Sequence, residues 1–558
     1  MSHDTSKPKI VIFSGPRATI QNSPSLVTSP SVREARGLLP VASGAGYDTV
    51  RSQLLAAPVT AYVQAYSAHP LEGDAQGLYA DADGFIDPVT GKFTTEAIAG
   101  GTPVYEVTLE PSHGPYMLPY AATQADGSAW DSQISVDGQA RQLFYPDASR
   151  IVTEIDRYAV DGSGHNNLLS SQAEFDFVRA APSGGYTLGQ PEHERTDKGE
   201  GAIPPEVLGE DFFPYMPARQ EPAISTLAKL TNVVSTTLAE GDYDGAIWLE
   251  GSPTTEETVY WLNLLTNATV PIVGNCSQYG HGVLGNDGDH NLVQATSYIA
   301  SRVWADEAGL DRVGAVMIQN GQVFTAREVV KADARPGGYV AMGGTGGVVG
   351  NTVEEPVLTF IPVAKHTHKS ELTLDRLPTS VTGTMLRGET LAAVEVSVKD
   401  DTGALLASAM PKVTVAKYVN YGQDDFSDSA DSEVEVLARI EKNLRDHALA
   451  GFVAEGSAPY GGVYESLAAA LRLAIFRGMP VVAVGRGGGG FAFRSATQGG
   501  LVIAGSNLMA HKARMLLMAC LLKFGSLPVP VDPDNPTAEE VDAIKAQVAR
   551  YQHIFDTH

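Results

Sequence analysis

The chain is poor in cysteine, with Cys276 and Cys520 the only two among 558 residues. Two thiols cannot build a disulfide framework, and the simplest compartment for such a chain is the cytoplasm. Positive charge is also scarce: 39 Lys and Arg stand against 65 Asp and Glu, a formal net charge of -26. A nucleic-acid binder needs clustered bases to release counterions from phosphates, so nucleic acid is excluded as an expected partner. The same sign disfavours an anionic membrane surface. Long apolar runs are missing. The stretch Met515 to Leu522 falls far short of the ~18 residues that a bilayer span needs. Met1 to Lys9 is polar and has no apolar h-region, so no secretory signal is expected.

What remains is a folded-protein composition, with 43% hydrophobic and 19% charged residues, and a length that suggests two to four domains. Ile10-Val11-Ile12-Phe13 followed by Ser14-Gly15-Pro16 reads as a buried parallel strand running into a loop. Ligands of open α/β sheets sit outside the carboxyl ends of strands, which makes this loop a candidate site. From about Val59 to Glu200, short alternating stretches are broken by Gly, Pro, Asp and Ser clusters. That texture predicts a β-rich insertion. From Ala223 onward strands alternate with helices, which predicts βαβ units and a mostly parallel sheet. Strands are expected at 244–249, 270–273 and 312–318, and helices at 225–238, 254–265 and 291–303. After a break near Leu377-Pro378 a second unit begins, with strands near 413–416, 451–453 and 480–484 and helices at 433–449, 464–476 and 510–522. The expected division is therefore an N-terminal α/β domain from 1–58 and 206–377, an insertion at 59–205, and a C-terminal α/β domain at 378–558. Asp424 to Glu433 holds four Asp and one Glu in ten residues, and reads as a solvated lead-in to a helix N-terminus.

The most informative stretch is Asp244-Gly245-Ala246-Ile247-Trp248-Leu249-Glu250-Gly251-Ser252-Pro253-Thr254-Thr255-Glu256-Glu257-Thr258. A hydroxyl sits directly after a strand and before a helix. Taken alone, the plainer reading makes Ser252 an N-cap and Pro253 the first helical residue. The stretch also resembles the second active-site signature of the bacterial-type asparaginase/glutaminase family, where His-Gly-Thr-Asp-Thr precedes a Glu-Glu-Thr helix. Other segments resemble that family in the same order along the chain. They are Pro271 to Asn275, Asp287 to Leu292, Ala326 to Lys331, Ala364 to Thr367, and the Lys512-Ala513-Arg514 helix. At the N-terminus, Thr19-Ile20 resembles the end of the family's Thr-Gly-Gly-Thr-Ile-Ala motif.

This resemblance implies two α/β domains of asparaginase-like architecture. It also implies hydrolysis of a small amide, or an imide- or hydrazide-like relative, through an acyl-enzyme on Thr or Ser. Thr19 matches the first-motif nucleophile, Ser252 stands in the place of the second-motif threonine, and Lys331 stands in the place of the lysine that assists it. Substrate contacts fall at Gln220, Gly251 and Asn275. Against each stands a plainer role: a turn residue for Thr19, a surface charge for Lys331, a loop residue for Gln220. A homodimer or homotetramer is implied, because the family builds its site between subunits. No cofactor and no metal are expected.

The departures are informative. The family's aspartate after the second threonine, which binds the substrate's α-amino group, is here Pro253. Its asparagine segment from the neighbouring subunit is replaced by Ala458-Pro459-Tyr460-Gly461-Gly462, and its following acidic segment by Gly485 to Phe491. A proline side chain brings neither charge nor hydrogen bond. The expected substrate is therefore an amide that is not an α-amino acid. Two alternatives stand beside this reading, a true asparaginase or glutaminase and a binding protein that kept the fold without the chemistry. Gly485 to Gly490 lacks the Lys-Ser/Thr ending of a P-loop, which excludes nucleotide binding there. His366 and His368 read as structural, and Cys276 as a buried thiol.

Overall fold

The computed structural model describes residues 7–15, 20, 82–89, 93–109, 151–156, 158, 168–179, 224–279, 284–342, 346–419, 427–458, 460–487 and 498–558, with short strands at 26–28, 48–50, 59–63, 143–144 and 206–207. The main sheet begins with β1 (Lys9–Ser14), and its next strand in sequence is β2 (Glu174–Arg179). Helix α1 (Thr226–Glu240), β3 (Gly245–Leu249), α2 (Thr254–Leu265), β4 (Ile272–Asn275), α3 (Gly288–Ser301) and β5 (Val316–Gln319) follow. Next come β6 (Gln322–Thr325) and a separate hairpin of β7 (Val329–Lys331) with β8 (Tyr339–Ala341). The last strands of this sheet are β9 (Val348–Asn351) and β10 (Val357–Leu358). The sheet order is β10-β9-β6-β5-β4-β3-β1-β2. Strands β2, β1, β3, β4 and β5 run parallel, and the remaining pairings are antiparallel.

β1 and β3 are apolar on both faces because both faces are covered. Val11, Phe13, Ala246 and Trp248 enter one core, while Ile10, Ile12, Ile247 and Leu249 enter the other. The first core is continuous with the C-terminal unit. There β13 (Lys412–Lys417), β14 (Ala450–Gly456), β15 (Val481–Gly485) and β16 (Ile503–Ala504) form a four-stranded parallel sheet in sequence order. Its helices are α4 (Val434–Asp446), α5 (Glu465–Phe476), α6 (Ala510–Phe524) and α7 (Ala538–Thr557). A hairpin precedes that sheet, Ser380–Arg387 (β11) against Thr390–Ser397 (β12). It and α7 lie outside the elements that the sequence reading named. The acidic stretch ends, as expected, at a helix: α4 starts at Val434.

The range 59–205 divides. Val59–Val63, Thr102–Leu109, Gly84–Ile86 and Phe93–Thr94 form an antiparallel sheet of their own. Glu174–Arg179 instead pairs with β1 as the edge strand of the main sheet. Its alternating apolar and polar residues suit an edge position as well as they suit a β-rich insertion. The chain therefore leaves β1 to one side and returns through α1 to β3 on the other. A reversal of strand order of this kind opens a crevice at the carboxyl ends of β1 and β3.

Helix α6 is anchored to α2 and to the segment after β6 by a buried cation. Lys512 is 1% exposed, and its Nζ donates to Ala326 O at 2.7 Å and to Glu256 O. Burial holds its pKa down to about 8. Replacing Lys512 with methionine removes both hydrogen bonds and should cost about 2–4 kcal/mol. The check is the urea midpoint at constant m-value; an unchanged midpoint would show that the lysine does not fasten the helix.

Candidate functional site

β3 ends at Leu249, and the backbone N–H of Gly15, just past β1, donates to Leu249 O at 2.7 Å. Glycine is required there, since a Cβ at Gly15 would lie 2.5 Å from Trp248 Cζ2. Glu250 follows, buried, with Oε2 accepting from Trp248 Nε1 at 2.8 Å. Gly251 is buried, and its carbonyl accepts from Thr255 N at 3.0 Å and Thr255 Oγ1 at 3.1 Å. Ser252 comes next, half-buried, two residues before α2 begins.

The Ser252 hydroxyl does not cap that helix. The N-cap is Pro253, with no side-chain cap bond, and Ser252 Oγ lies 2.7 Å from Tyr339 Oη. Tyr339 Oη in turn lies 3.1 Å from Cys276 Sγ, which also accepts from Gln319 Nε2 at 3.3 Å. Burial, first of all, drives the Tyr339 phenol far above the ordinary tyrosine range. Burial also pushes the Cys276 thiol up to about 12. Both groups are therefore neutral at pH 7. As the sequence suggested, Cys276 is a buried thiol, yet it belongs to this hydrogen-bonded chain.

Lys331 arrives opposite Tyr339 because β7 and β8 pair in register, Lys331 against Tyr339. The turn between them passes through Gly337 at φ +64°, a left-handed position that favours glycine. Lys331 Nζ stands 4.7 Å from the Tyr339 ring centroid and donates to Arg335 O at 2.9 Å. Its backbone N–H donates to Glu256 Oε2 at 2.5 Å, tying the hairpin to the first turn of α2. His511 Nε2 lies 3.2 Å from the other Glu256 oxygen, outside hydrogen-bond alignment.

Of the residues singled out in the sequence, Ser252 and Lys331 thus meet at one ring, that of Tyr339. Asn275 ends β4 fully buried, with Nδ2 donating to Ile318 O at 3.0 Å, and it braces β4 against β5. Its Oδ1 is buried and has no hydrogen-bond partner among the described residues. Thr19 and Gln220 lie outside the described residues. The loop after β14 turns sharply: Ser457 N donates to Gly462 O, and Gly461 N donates to Ser457 O. Tyr339 and Glu256 were missed in the sequence. A Pro336-Gly337-Gly338 turn between Val329-Val330 and Tyr339-Val340 is the signal that pairs Tyr339 with Lys331.

His366 is buried, with Nδ1 lying 3.1 Å from Thr367 Oγ1. Among the described residues no group of three or more His, Cys, Asp or Glu could hold a metal. Burial pushes the His366 imidazole down to about 4, from an ordinary 6.5. The unfolded chain therefore takes up the proton first, so stability is full above about pH 6.5 and is lost as the pH falls toward 4. Asp311, pushed up to about 6 by burial, works in the opposite sense over part of that window. The variant His366→Gln isolates the histidine. Relative to it, the unmodified protein should lose about 2 kcal/mol of stability between about pH 7.5 and about pH 5. An equal gap between the two urea midpoints at both pH values would refute this.

Three comparisons bear on the chain. Residues 220–338 match the family model described as asparaginase, N-terminal. The chain is 26% identical over 177 residues to a glutaminase-asparaginase of Acinetobacter glutaminasificans, which covers 31% of this chain and 48% of that protein. It is 31% identical over 108 residues to an L-asparaginase of Bacillus licheniformis, covering 19% of this chain and 32% of the relative. The chain thus spans about half, or less, of the length of these curated relatives. Among solved structures, a probable cytoplasmic L-asparaginase from Campylobacter jejuni superposes with a TM-score of 0.45 at 18% identity, over 73% of this chain and 94% of that one. Among the described residues no helix is long and apolar enough to cross a membrane.

Proposed function

We propose that this asparaginase-like chain hydrolyses the C–N bond of a small amide through an ester formed on Ser252, and that its substrate is not an α-amino acid. The observation that carries the reading is the Ser252 hydroxyl just past the carboxyl end of β3, 2.7 Å from Tyr339 Oη, with Lys331 Nζ against the same ring. Ser252 Oγ attacks the amide carbonyl, ammonia or an amine departs, and water then releases the carboxylic acid. The positive end of α2 begins two residues beyond Ser252 and favours the negative charge that develops on the carbonyl oxygen. Thr19 is the other hydroxyl that the family resemblance offers, and it is retained as the rival nucleophile. The matched segment 220–338 contains both Ser252 and Lys331, and the pair favours an enzyme over a purely binding role.

A second reading, hydrolysis of L-asparagine or L-glutamine, is favoured by the names of the curated relatives. Against it stands Pro253, exposed and without a charge, in the position of the family's amino-group ligand. The test is release of ammonia or amine and carboxylate in equal amounts from a panel of aliphatic, cyclic and aromatic amides. Turnover of at least one neutral amide is expected; a protein that cleaves no amide, asparagine and glutamine included, is not an amidohydrolase.

A further inference from the structure

We propose that Tyr339 is a catalytic residue of this site, its phenol relaying the proton of Ser252 Oγ to the departing amide nitrogen. The inference rests on the reading that Ser252 forms the acyl-enzyme. Ser252 Oγ is a reacting atom in that reading, and Tyr339 Oη touches it at 2.7 Å. Lys331 Nζ instead donates to Arg335 O and faces the Tyr339 ring at 4.7 Å. Its amino group is thus turned to that carbonyl and that ring, while the serine hydroxyl meets Tyr339 Oη.

A tyrosinate is not the acceptor either, because the phenol is 4% exposed and burial strongly disfavours its anion. A neutral phenol has both a lone pair and a proton, so it can accept and donate in one step. As the Ser252 Oγ–carbon bond forms, the serine proton passes to Tyr339 Oη. The proton that Oη already carries passes to the amide nitrogen, the C–N bond breaks, and ammonia or an amine leaves. Tyr339 begins and ends neutral. In deacylation the transfers reverse, with a water proton passing to Oη and the Oη proton returning to Ser252 Oγ.

The surroundings suit a relay. Cys276 Sγ lies 3.1 Å from Oη, and Gln319 Nε2 fixes that cysteine by donating to its carbonyl at 2.9 Å and its sulfur at 3.3 Å. The thiol, pushed up to about 12, does not compete as a base. Register pairing of β7 with β8 fixes the tyrosine relative to Lys331.

The test compares Tyr339→Phe with the unmodified protein on two substrates of one acyl group, an amide and its p-nitrophenyl ester. The amide nitrogen must be protonated to leave, whereas p-nitrophenolate leaves unprotonated. Acylation by the amide should fall on the order of 10²–10³-fold, and by the ester less than about 10-fold. Equal losses on both substrates, or no loss on the amide, overturn the relay and leave the amidohydrolase reading standing. Absence of amide turnover in the unmodified protein instead removes that reading and the relay with it. Should Tyr339→Phe fail to fold, single-turnover amide cleavage by the unmodified protein in mixed light and heavy water decides. A bowed proton inventory is expected from two protons in flight, and a straight line overturns the proposal.

Discussion

Ser252→Ala should lower amide turnover on the order of 10³-fold or more, equivalent to several kcal/mol in the barrier. The loss should appear in kcat with little change in KM, because the hydroxyl forms its bond to the substrate carbon only during the reaction. The fold should survive. Ser252 is half-buried and does not cap α2, and its partner Tyr339 Oη keeps its contact with Cys276 Sγ. The stability cost of one lost hydrogen bond is about 1 kcal/mol. Thr19→Ala run in parallel separates the two hydroxyls. Near-native turnover in Ser252→Ala, with loss only in Thr19→Ala, would transfer the nucleophile's role to Thr19. Near-native turnover in both would remove the acyl-enzyme altogether.

An uncharged amide should be turned over with kcat/KM at least ~10²-fold above that for L-asparagine, since an α-ammonium without a carboxylate partner in a partly closed site loses several kcal/mol. Pro253 supplies no carboxylate, and two acids of the same segment each give one oxygen to a protein donor. Glu250 Oε2 accepts from Trp248 Nε1, and Glu256 Oε2 accepts from the Lys331 backbone. Pro253→Asp should narrow the preference by restoring a carboxylate at the position where the family carries one. Parallel measurements of kcat/KM on neutral amides, L-asparagine and L-glutamine check this. A higher value for either amino acid than for every neutral amide would favour the asparaginase or glutaminase reading.

Elements whose signals are local were readable from the sequence. The helix expected at 254–265 is α2 to the residue, because apolar periodicity, two acids in the first turn and a preceding Pro mark it. Helix α7 was also readable in principle: Thr537 and Glu540 form a capping box at its start. The β11–β12 hairpin carries its own turn signal at Gly388, φ +65°. What no local signal carries is which strands become neighbours. Glu174–Arg179 is assigned to the main sheet by its pairing with β1, across a long stretch of chain. The site divides in the same way. Ser252 and Lys331 stand out by motif, whereas Tyr339 becomes visible only once hairpin register sets it opposite Lys331 and the fold brings it to Ser252.

The most direct measurement of the central claim is mass spectrometry of the acid-quenched protein during turnover of a slow neutral amide or its activated ester. The account predicts an added acyl mass that localises to the peptide carrying Ser252, that is absent in Ser252→Ala, and that disappears as substrate is exhausted. Turnover with no covalent adduct, or an adduct confined to another residue, would contradict it.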